Sequence, residues 1–483
     1  MKVARFYIEN FGCRATQADG AALERQFLER GLERAGGISD AEIVVLNTCT
    51  VTAGADKDVR ASVRRLQRLN PGCRILVTGC YAQRAPEEIA SLPGVSWVVG
   101  NSHKHQAAQI ATASLAASGF VSLAQLAGED SAPEIVVGDI FAHTELMAAP
   151  VFEAANERTR PNLKVQDGCD NRCSFCVIPY VRGQSRSLPL ERVLREVRTL
   201  VEGGNREVVI SGINLGRWGR DLAVGRPPTV DGIPGRPTTS DRRLVGLIHA
   251  ILDQTSLEKL RISSVEPMDW SDALIELVAS SPRIAKHAHV PMQSGSDAVL
   301  RRMHRKYRPW HYREKIQRIR EAMPFAAIGA DVMVGFPGET EAEFDETRRM
   351  VEELPFTYLH VFTYSARPGT PAAQAKKQVP PAVARERNSI LREIASVKKS
   401  AFLKSLVGRE TEAITLQSGG DSFTEALTDN YLKARLAGKV EANRWVRFRA
   451  DGVEGDSLIG NSASGQEIDE ICSASGNLRV LLS

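Results

Sequence analysis

Cys169-Asp170-Asn171-Arg172-Cys173-Ser174-Phe175-Cys176 places three thiols within eight residues, on a loop that follows the strand-like run Leu163–Val165. Three thiolates leave one corner of a cubane 4Fe–4S cluster without a protein ligand, whereas ferredoxin-type sites close the cluster with four. The competing reading is a structural zinc knuckle, which needs four ligands and usually two paired spacings. No fourth Cys or His lies nearby in the sequence.

Five further cysteines are Cys13, Cys49, Cys73, Cys80 and Cys472. The amino terminus, Met1 to Phe6, lacks the apolar block of a signal peptide. No apolar run reaches the ~18 residues of a membrane span. A cytoplasmic chain is expected, in which cysteines serve metal or redox chemistry rather than disulfides. The first hundred residues alternate strand and helix. Val3–Ile8, Ile43–Leu46 and Arg74–Val77 read as strands, each followed by a helical stretch, and the third of these opens near Pro86. Cys13, Cys49 and Cys80 lie just past the carboxyl ends of these strands. In a parallel sheet such ends share one edge, where open α/β sheets bind ligands. Cys73, at the start of a strand, reads as a small buried hydrophobe.

A second βα series starts at Leu163–Val165. Its further strands are expected at Glu207–Ser211, Lys259–Ser263, Ile284–Val290, Ile328–Val334 and Tyr358–Phe362, with a helix over Leu190–Glu202. Six strands alternating with helices imply a partial parallel barrel. The Pro/Gly-rich stretch Val224–Ser240 reads as a surface insertion. After a long helix ending near Leu406, short strands run to about Gly460. The fold class is thus α/β: an N-terminal parallel α/β domain over 1–118, a linker over 119–154, a partial (β/α)6 barrel over 155–395, a small all-β domain over 405–465 and a tail over 466–483. His287 and His289 alternate on one strand and read as barrel-lining packing.

The three-cysteine loop, with Lys164 to Gly168 before it and Ile178-Pro179-Tyr180-Val181-Arg182-Gly183 after it, resembles the radical S-adenosylmethionine (SAM) methylthiotransferases. Ser211 to Gly216, Ser263 to Pro267, Pro291 to Ser296, Gly335 to Thr340 and Tyr364 to Thr370 carry the same resemblance along the barrel. It implies that Cys169, Cys173 and Cys176 hold the cluster that binds and cleaves SAM. It also implies that Cys13, Cys49 and Cys80 hold an auxiliary 4Fe–4S cluster bearing the sulfur to be transferred, so that two 4Fe–4S clusters and SAM are the cofactors. Asn214, Glu266 and Gln293, at strand exits, and the turn glycines Gly335 and Gly338 are the SAM-contact candidates. The resemblance implies no catalytic side chain beyond the cluster ligands.

Asn47 to Thr52 and Cys80-Tyr81-Ala82-Gln83 resemble the branch acting on threonylcarbamoyladenosine in tRNA; the branch acting on isopentenyladenosine tends to carry Arg where this chain has Thr52. Thr16 and Ala18 depart from the branch, which usually has Asn and an aromatic there, and this departure bears on substrate contacts. The implied partners are a tRNA anticodon stem-loop and a reducing protein such as a flavodoxin or ferredoxin, with the chain a monomer. Methylthiolation of isopentenyladenosine or of a ribosomal-protein aspartate are alternatives within the fold. A non-catalytic RNA-binding protein, with zinc completed by Cys73 or Cys472, is an alternative of another class.

Of 483 residues, 62 are basic and 58 acidic, for a net charge of +4. The charge is uneven. Leu300–Arg320 carries nine Lys or Arg and one Glu, and Lys57–Arg74 six and one Asp. Such patches suit a polyanion. The C-terminal module resembles the small RNA-binding TRAM barrel through Asp429 to Lys433 and Trp445 to Arg449. It is net acidic, but Lys433, Arg435, Lys439, Arg444, Arg447 and Arg449 cluster, and Tyr431 and Trp445 are expected to offer stacking faces to unpaired bases.

Overall fold

The computed structural model describes residues 3–116, 132–143, 146, 160–222, 242–420 and 422–462. The insertion read over Val224–Ser240, most of the linker, Cys472 and the tail lie outside the described residues.

The N-terminal unit is a six-stranded parallel sheet. Its strands are β1 (Arg5–Asn10), β2 (Glu33–Arg34), β3 (Ile43–Thr48), β4 (Arg74–Gly79), β5 (Val95–Gly100) and β6 (Glu134–Val136), in the spatial order β2-β1-β3-β4-β5-β6. β3 is buried along its whole length, because helices cover both faces of such a sheet and its Ile-Val-Val-Leu run has no solvent side to alternate with. α1 (Arg14–Glu29) follows β1 and α2 (Ala53–Leu69) follows β3. Thr52 caps α2 by accepting from the Ala55 amide, and Val59, Val63 and Leu66 form its inward stripe. The short helix α3 (Cys80–Arg84) follows β4 directly. Three strands escape the sequence pattern: the two-residue β2 is too short to show a period. β5 is hidden by its short approach from the preceding turn. β6 lies within the stretch read as a linker, so the first unit extends past residue 118; three residues are too few to show a period.

The second unit begins with β7 (Asn162–Asp167), whose cysteine loop leads into α4 (Ile178–Arg182). β8 (Arg186–Ser187) pairs antiparallel with β7. α5 spans Leu190–Glu202, the expected range. β9 (Glu207–Gly212) and β10 (Lys259–Ile262) continue the parallel sheet, while β11 (His287–His289), β12 (Ala327–Val334) and β13 (Tyr358–Thr363) form its second half. Single parallel bridges, Leu260 to Ile284 and Ser264 to His289, join the halves. This is the expected partial barrel. The strand foreseen from Ile284 shrinks to three residues because only its far end makes a continuous ladder. Leu163, Val208, Ile210, Leu260, Ile328 and Val332 point to the surrounding helices as one core, and the alternate residues face the lumen.

The long helix α6 (Pro381–Ser405) leads to a closed five-stranded barrel, β14 (Glu410–Gly419) to β18 (Ser457–Ser462). That last strand runs on through Asn461 and Ser462, two residues past the Gly460 at which the short strands were expected to end. This small barrel sits against the amino ends of the large barrel's strands. Arg261 of β10 donates to Glu207 Oε1 at 2.6 Å and to the Asp429 carbonyl at 3.0 Å. The Tyr431 ring lies 4.8 Å from that of His287, and the Lys259 ammonium stands 4.9 Å from the Trp445 ring centre.

Candidate functional site

Strands β1, β3 and β4 are adjacent and end nearly flush: Asn10 pairs with Asn47, and Thr48 with Gly79. With strands ~4.8 Å apart, the loops that follow bring Cys13, Cys49 and Cys80 to one edge. Contact is close. Gly12 has a φ of +104°, and a Cβ placed on it would stand 2.4 Å from Cys49 Cβ. Cys49 and Cys80 are buried and Cys13 is exposed. Burial, with Cys80 and Cys13 beside it, pushes the Cys49 thiol up to about 12. Asn101 Nδ2 lies 3.5 Å from Cys80 Sγ. Thr16 Oγ1 lies 3.5 Å from Cys13 Sγ and is fully buried, so the departure at this position shapes the cysteine loop rather than a substrate contact.

Cys169, Cys173 and Cys176 ring the carboxyl end of β7. Burial pushes the Cys176 thiol up to about 12, with Cys173 and Cys169 adding to the effect. N–H donors aim at the sulfurs: the Asn171 amide at 3.4 Å and Asn214 Nδ2 at 3.6 Å from Cys169, and Arg305 Nη1 at 3.4 Å from Cys173. Such donors stabilise thiolate sulfur and orient cluster ligands. All seven described cysteines are free thiols, and the two trios fit thiolate-held clusters. Cys73 cannot complete either trio with a fourth ligand. It sits in the hydrophobic core at the opposite end of β4 from Cys80, ~23 Å away along an extended strand.

The two trios adjoin. Cys80 packs against Val177 and Val181, and Val177 directly follows Cys176. Between the units runs a buried group of charges that sequence reading missed. Asp19 on α1 meets Lys104 Nζ at 2.9 Å, Arg182 Nη2 at 3.0 Å and the Lys164 ammonium. Asp167 meets Lys164 at 2.8 Å and Arg182 at 3.0 Å. Burial alone would raise the Asp19 carboxyl; Lys104, Lys164 and Arg182 outweigh it and hold it well below the usual range. Asp167 is likewise held low against burial, by Arg182 and Lys164. Lys164 and Arg182 stood inside quoted motifs, but nothing in the sequence pairs them with Asp19.

Of the expected SAM contacts, Asn214 reaches Cys169 directly and Glu266 is joined to Cys173 through Arg305. Asn214 is buried, its amide bound to Gln166 Oε1 at 2.7 Å and its Oδ1 without a hydrogen-bond partner among the described residues. Glu266 is held by Arg305. Gln293 adopts a φ of +63° and its amide donates to the Asp331 carbonyl at 2.8 Å. Gly335 has a reason of its own: a Cβ there would stand 2.6 Å from Ala384 of α6, so close helix packing demands glycine. Gly338, with φ +75°, donates to the Lys377 carbonyl at 2.6 Å. His287 Nε2 lies 2.7 Å from the Tyr358 hydroxyl, the expected lining role. His289, Asp331 and His360, on three neighbouring strands, bring one ligand atom each to within 4.8 Å of one another.

Two expectations about RNA contacts change. Most of the Leu300–Arg320 charge is answered by carboxylates elsewhere in sequence: Arg302 by Glu343, Arg305 by Glu266, Arg308 by Asp297, Arg313 by Glu353 and Arg318 by Asp272. Trp445 is 5% exposed and Tyr431 turns into the large barrel, so neither is an open stacking face; both glue the small barrel to the large one.

The model of the uncharacterized protein family UPF0004 matches residues 5–100, and that of the Radical SAM superfamily residues 163–351. The threonylcarbamoyladenosine tRNA methylthiotransferase MtaB of Aquifex aeolicus is 35% identical over 449 residues, covering 92% of this chain and 99% of that protein. The protein of the same name in Bacillus subtilis is 35% identical over 450 residues, covering 90% and 91%. The tRNA-2-methylthio-N(6)-dimethylallyladenosine synthase of Novosphingobium aromaticivorans is 33% identical over 420 residues, covering 86% and 87%. Among solved structures, the radical SAM methyltransferase TsrM of Kitasatospora setae superposes with a TM-score of 0.53 at 15% identity, covering 77% of each chain, a likeness of fold. No helix of the described residues is long and apolar enough to cross a membrane.

Proposed function

The chain belongs to the radical SAM methylthiotransferases, in their MtaB-like branch, and from that premise we propose that it adds a methylthio group to carbon 2 of the threonylcarbamoyladenosine beside a tRNA anticodon. The observation that carries the reading is the abutment of two three-thiol sets, one on each parallel sheet, through Cys80 and Val177. The relatives' names favour the threonylcarbamoyl substrate over the dimethylallyl one, because the MtaB proteins match more of this chain.

The target carbon offers neither an acidic proton nor a leaving group, so acid–base and nucleophilic chemistry cannot open its C–H bond. A 4Fe–4S cluster on Cys169, Cys173 and Cys176 would supply the electron that divides SAM, and a second on Cys13, Cys49 and Cys80 the sulfur. The side chains do the rest by placement. Asn214 donates to the Cys169 sulfur and Arg305 to that of Cys173, and Arg305 also fixes Glu266, whose carboxylate would serve the amino or ribose groups of SAM. Gln293, its backbone pinned to the Asp331 carbonyl, would be a further contact for SAM. Dry walls at Cys49, Cys80 and Val177 keep water from a radical. The electron donor in this scheme is a small flavodoxin- or ferredoxin-like protein, and the enzyme acts as a monomer in the cytoplasm, where tRNA is found.

Mass analysis of tRNA nucleosides from cells lacking the chain, and from cells re-supplied with it, tests the proposal. Loss and return of the methylthio form of threonylcarbamoyladenosine supports it. Loss of methylthio-isopentenyladenosine instead, or of a modified ribosomal-protein aspartate, overturns the substrate assignment.

A further inference from the structure

The charge seam between the two units has an unequal count. Lys104, Lys164 and Arg182 are three cations against Asp19 and Asp167, and every one of these side chains is at most 10% exposed. Arg186 stands behind Asp167, held by the carbonyls of His143 and Gln184, and adds to the positive side. Asp221, whose pull on Arg186 is weaker than that of Asp167 or Asp19, binds Ser187 and is exposed. An unbalanced charge in a protein interior is costly.

Among the described residues, the contacts of the seam point toward the first cysteine trio as the source of the missing negative charge. Lys104 Nζ lies 3.2 Å from Asn47 Oδ1, two residues before Cys49. Asn101 Nδ2 spans from Cys80 Sγ to the Val181 carbonyl, 2.7 Å away, and Val181 adjoins Arg182. Burial works against both buried cations: it pulls Lys104 down although Asp19 and Cys80 favour its charge, and it is outweighed at Arg182 by Asp167, Cys80, Asp19 and Cys13. The surplus cation therefore faces the trio Cys13, Cys49 and Cys80.

We propose that this seam is the counter-charge of the auxiliary cluster, and that Lys104 is a positioning residue that sets how readily that centre accepts an electron. The inference rests on reading Cys13, Cys49 and Cys80 as cluster ligands. An oxidised 4Fe–4S core of charge 2+ with three thiolates carries about −1, and one electron taken from a reductant such as dithionite makes it about −2. A fixed buried cation favours the second state over the first.

Charge counting gives signs that packing alone does not. Lys104→Gln takes the five-group surplus to zero while Asp19 keeps Lys164 and Arg182. Asp19→Asn raises the surplus to two. The double variant D19N/K104Q returns it to one. The test is a dithionite titration followed by electron paramagnetic resonance, on full chains in which Cys169, Cys173 and Cys176 are alanine, so that only the auxiliary centre reports.

K104Q is expected to make reduction about tenfold less favourable, ~59 mV for one electron. D19N should make it more favourable, and D19N/K104Q should return it to the parent value. Should K104Q shed its iron, retention in K104R and recovery in D19N/K104Q carry the same sign. An unchanged midpoint in K104Q, or a double variant worse than K104Q, overturns the inference. Iron analysis separates the two levels. About four rather than eight irons in the unaltered chain means the auxiliary reading itself is wrong and takes the inference with it; eight irons with an unmoved midpoint sinks only the inference.

Discussion

Arg367 Nη1 lies 2.8 Å from Asp56 Oδ2, and both side chains are buried. The same guanidinium nitrogen donates to the Thr50 carbonyl at 2.9 Å, and Arg84 Nη2 reaches Asp56 Oδ2 at 3.0 Å. One carboxylate thus ties the turn after Cys49, the helix after Cys80 and the segment beyond the last strand of the large barrel. Together with the Asp19 seam it clamps the two units on both sides of the thiol trio.

Removing the guanidinium leaves a buried carboxylate with the cation of Arg84 and, at 2.6 Å, the Thr50 hydroxyl. Breaking a buried pair from one side costs about 3–5 kcal/mol, so Arg367→Ala should lower the urea midpoint accordingly. The auxiliary trio should lose iron before the SAM-binding trio does. A variant whose unfolding curve overlays that of the parent would show that the pair carries no such weight.

Gly12 offers a sharper cut. Its φ of +104° and the 2.4 Å approach to Cys49 leave no room for a methyl group. Gly12→Ala should displace the Cys13 turn from Cys49 and bring iron from about eight to about four per chain. Cleavage of SAM to 5′-deoxyadenosine, which the proposal assigns to the other trio, should persist. Loss of both functions together points to general misfolding instead.

The proposed division of the reaction between the two trios is one that activity can resolve. Cys176→Ala should abolish SAM cleavage. Cys49→Ala should leave cleavage measurable while ending methylthiolation of tRNA. If Cys49→Ala still yields the thiomethylated nucleoside at the parent rate, the auxiliary trio has been misassigned.

Local pattern and long-range pairing part company in this chain. The thiols and the strand ends that gather them were legible, because Cys13, Cys49 and Cys80 each follow an apolar run and parallel topology does the rest. Asp19, Asp56 and Arg367 were not legible as partners. Each looks like an ordinary surface charge until the fold removes it from water, and no spacing links Arg367 to a residue some three hundred positions earlier. Tyr431 and Trp445 failed for a related reason: an aromatic suited to stack on a base is equally suited to seal an interface, and only the partner decides. The +8 of Leu300–Arg320 misled because Asp272, Glu266, Glu343 and Glu353, which offset it, lie outside the window counted.

The seam also sets a pH response. Asp19 and Asp167 titrate below their unfolded values, held there by Lys104, Lys164 and Arg182 against the effect of burial. A depressed carboxyl adds stability that is fully present above the unfolded value, about 3.9, and is lost as pH falls through the folded one. Between pH 5 and 8 these two groups should contribute no slope. Below pH 4 the parent should lose stability more steeply than Asp19→Asn, as measured by urea unfolding at fixed ionic strength. Equal slopes would mean that Asp19 titrates normally in the folded chain.

The small barrel permits a test that separates glue from recognition. Trp445 is buried under Lys259, so Trp445→Ala should cost about 3–5 kcal/mol. RNA affinity, measured on the fraction that remains folded, should hold. Lys433 and Arg449 are exposed on strands of the same module. Replacing either with alanine should leave stability within about 0.5 kcal/mol. If each meets a phosphate of single-stranded RNA, each removal should flatten the salt dependence of binding by about 0.7 in log affinity per decade. The opposite pattern, with Trp445→Ala weakening RNA binding at unchanged stability, would return that ring to the role its sequence context first suggested and require the small barrel to detach from the amino ends of the large barrel's strands when RNA binds.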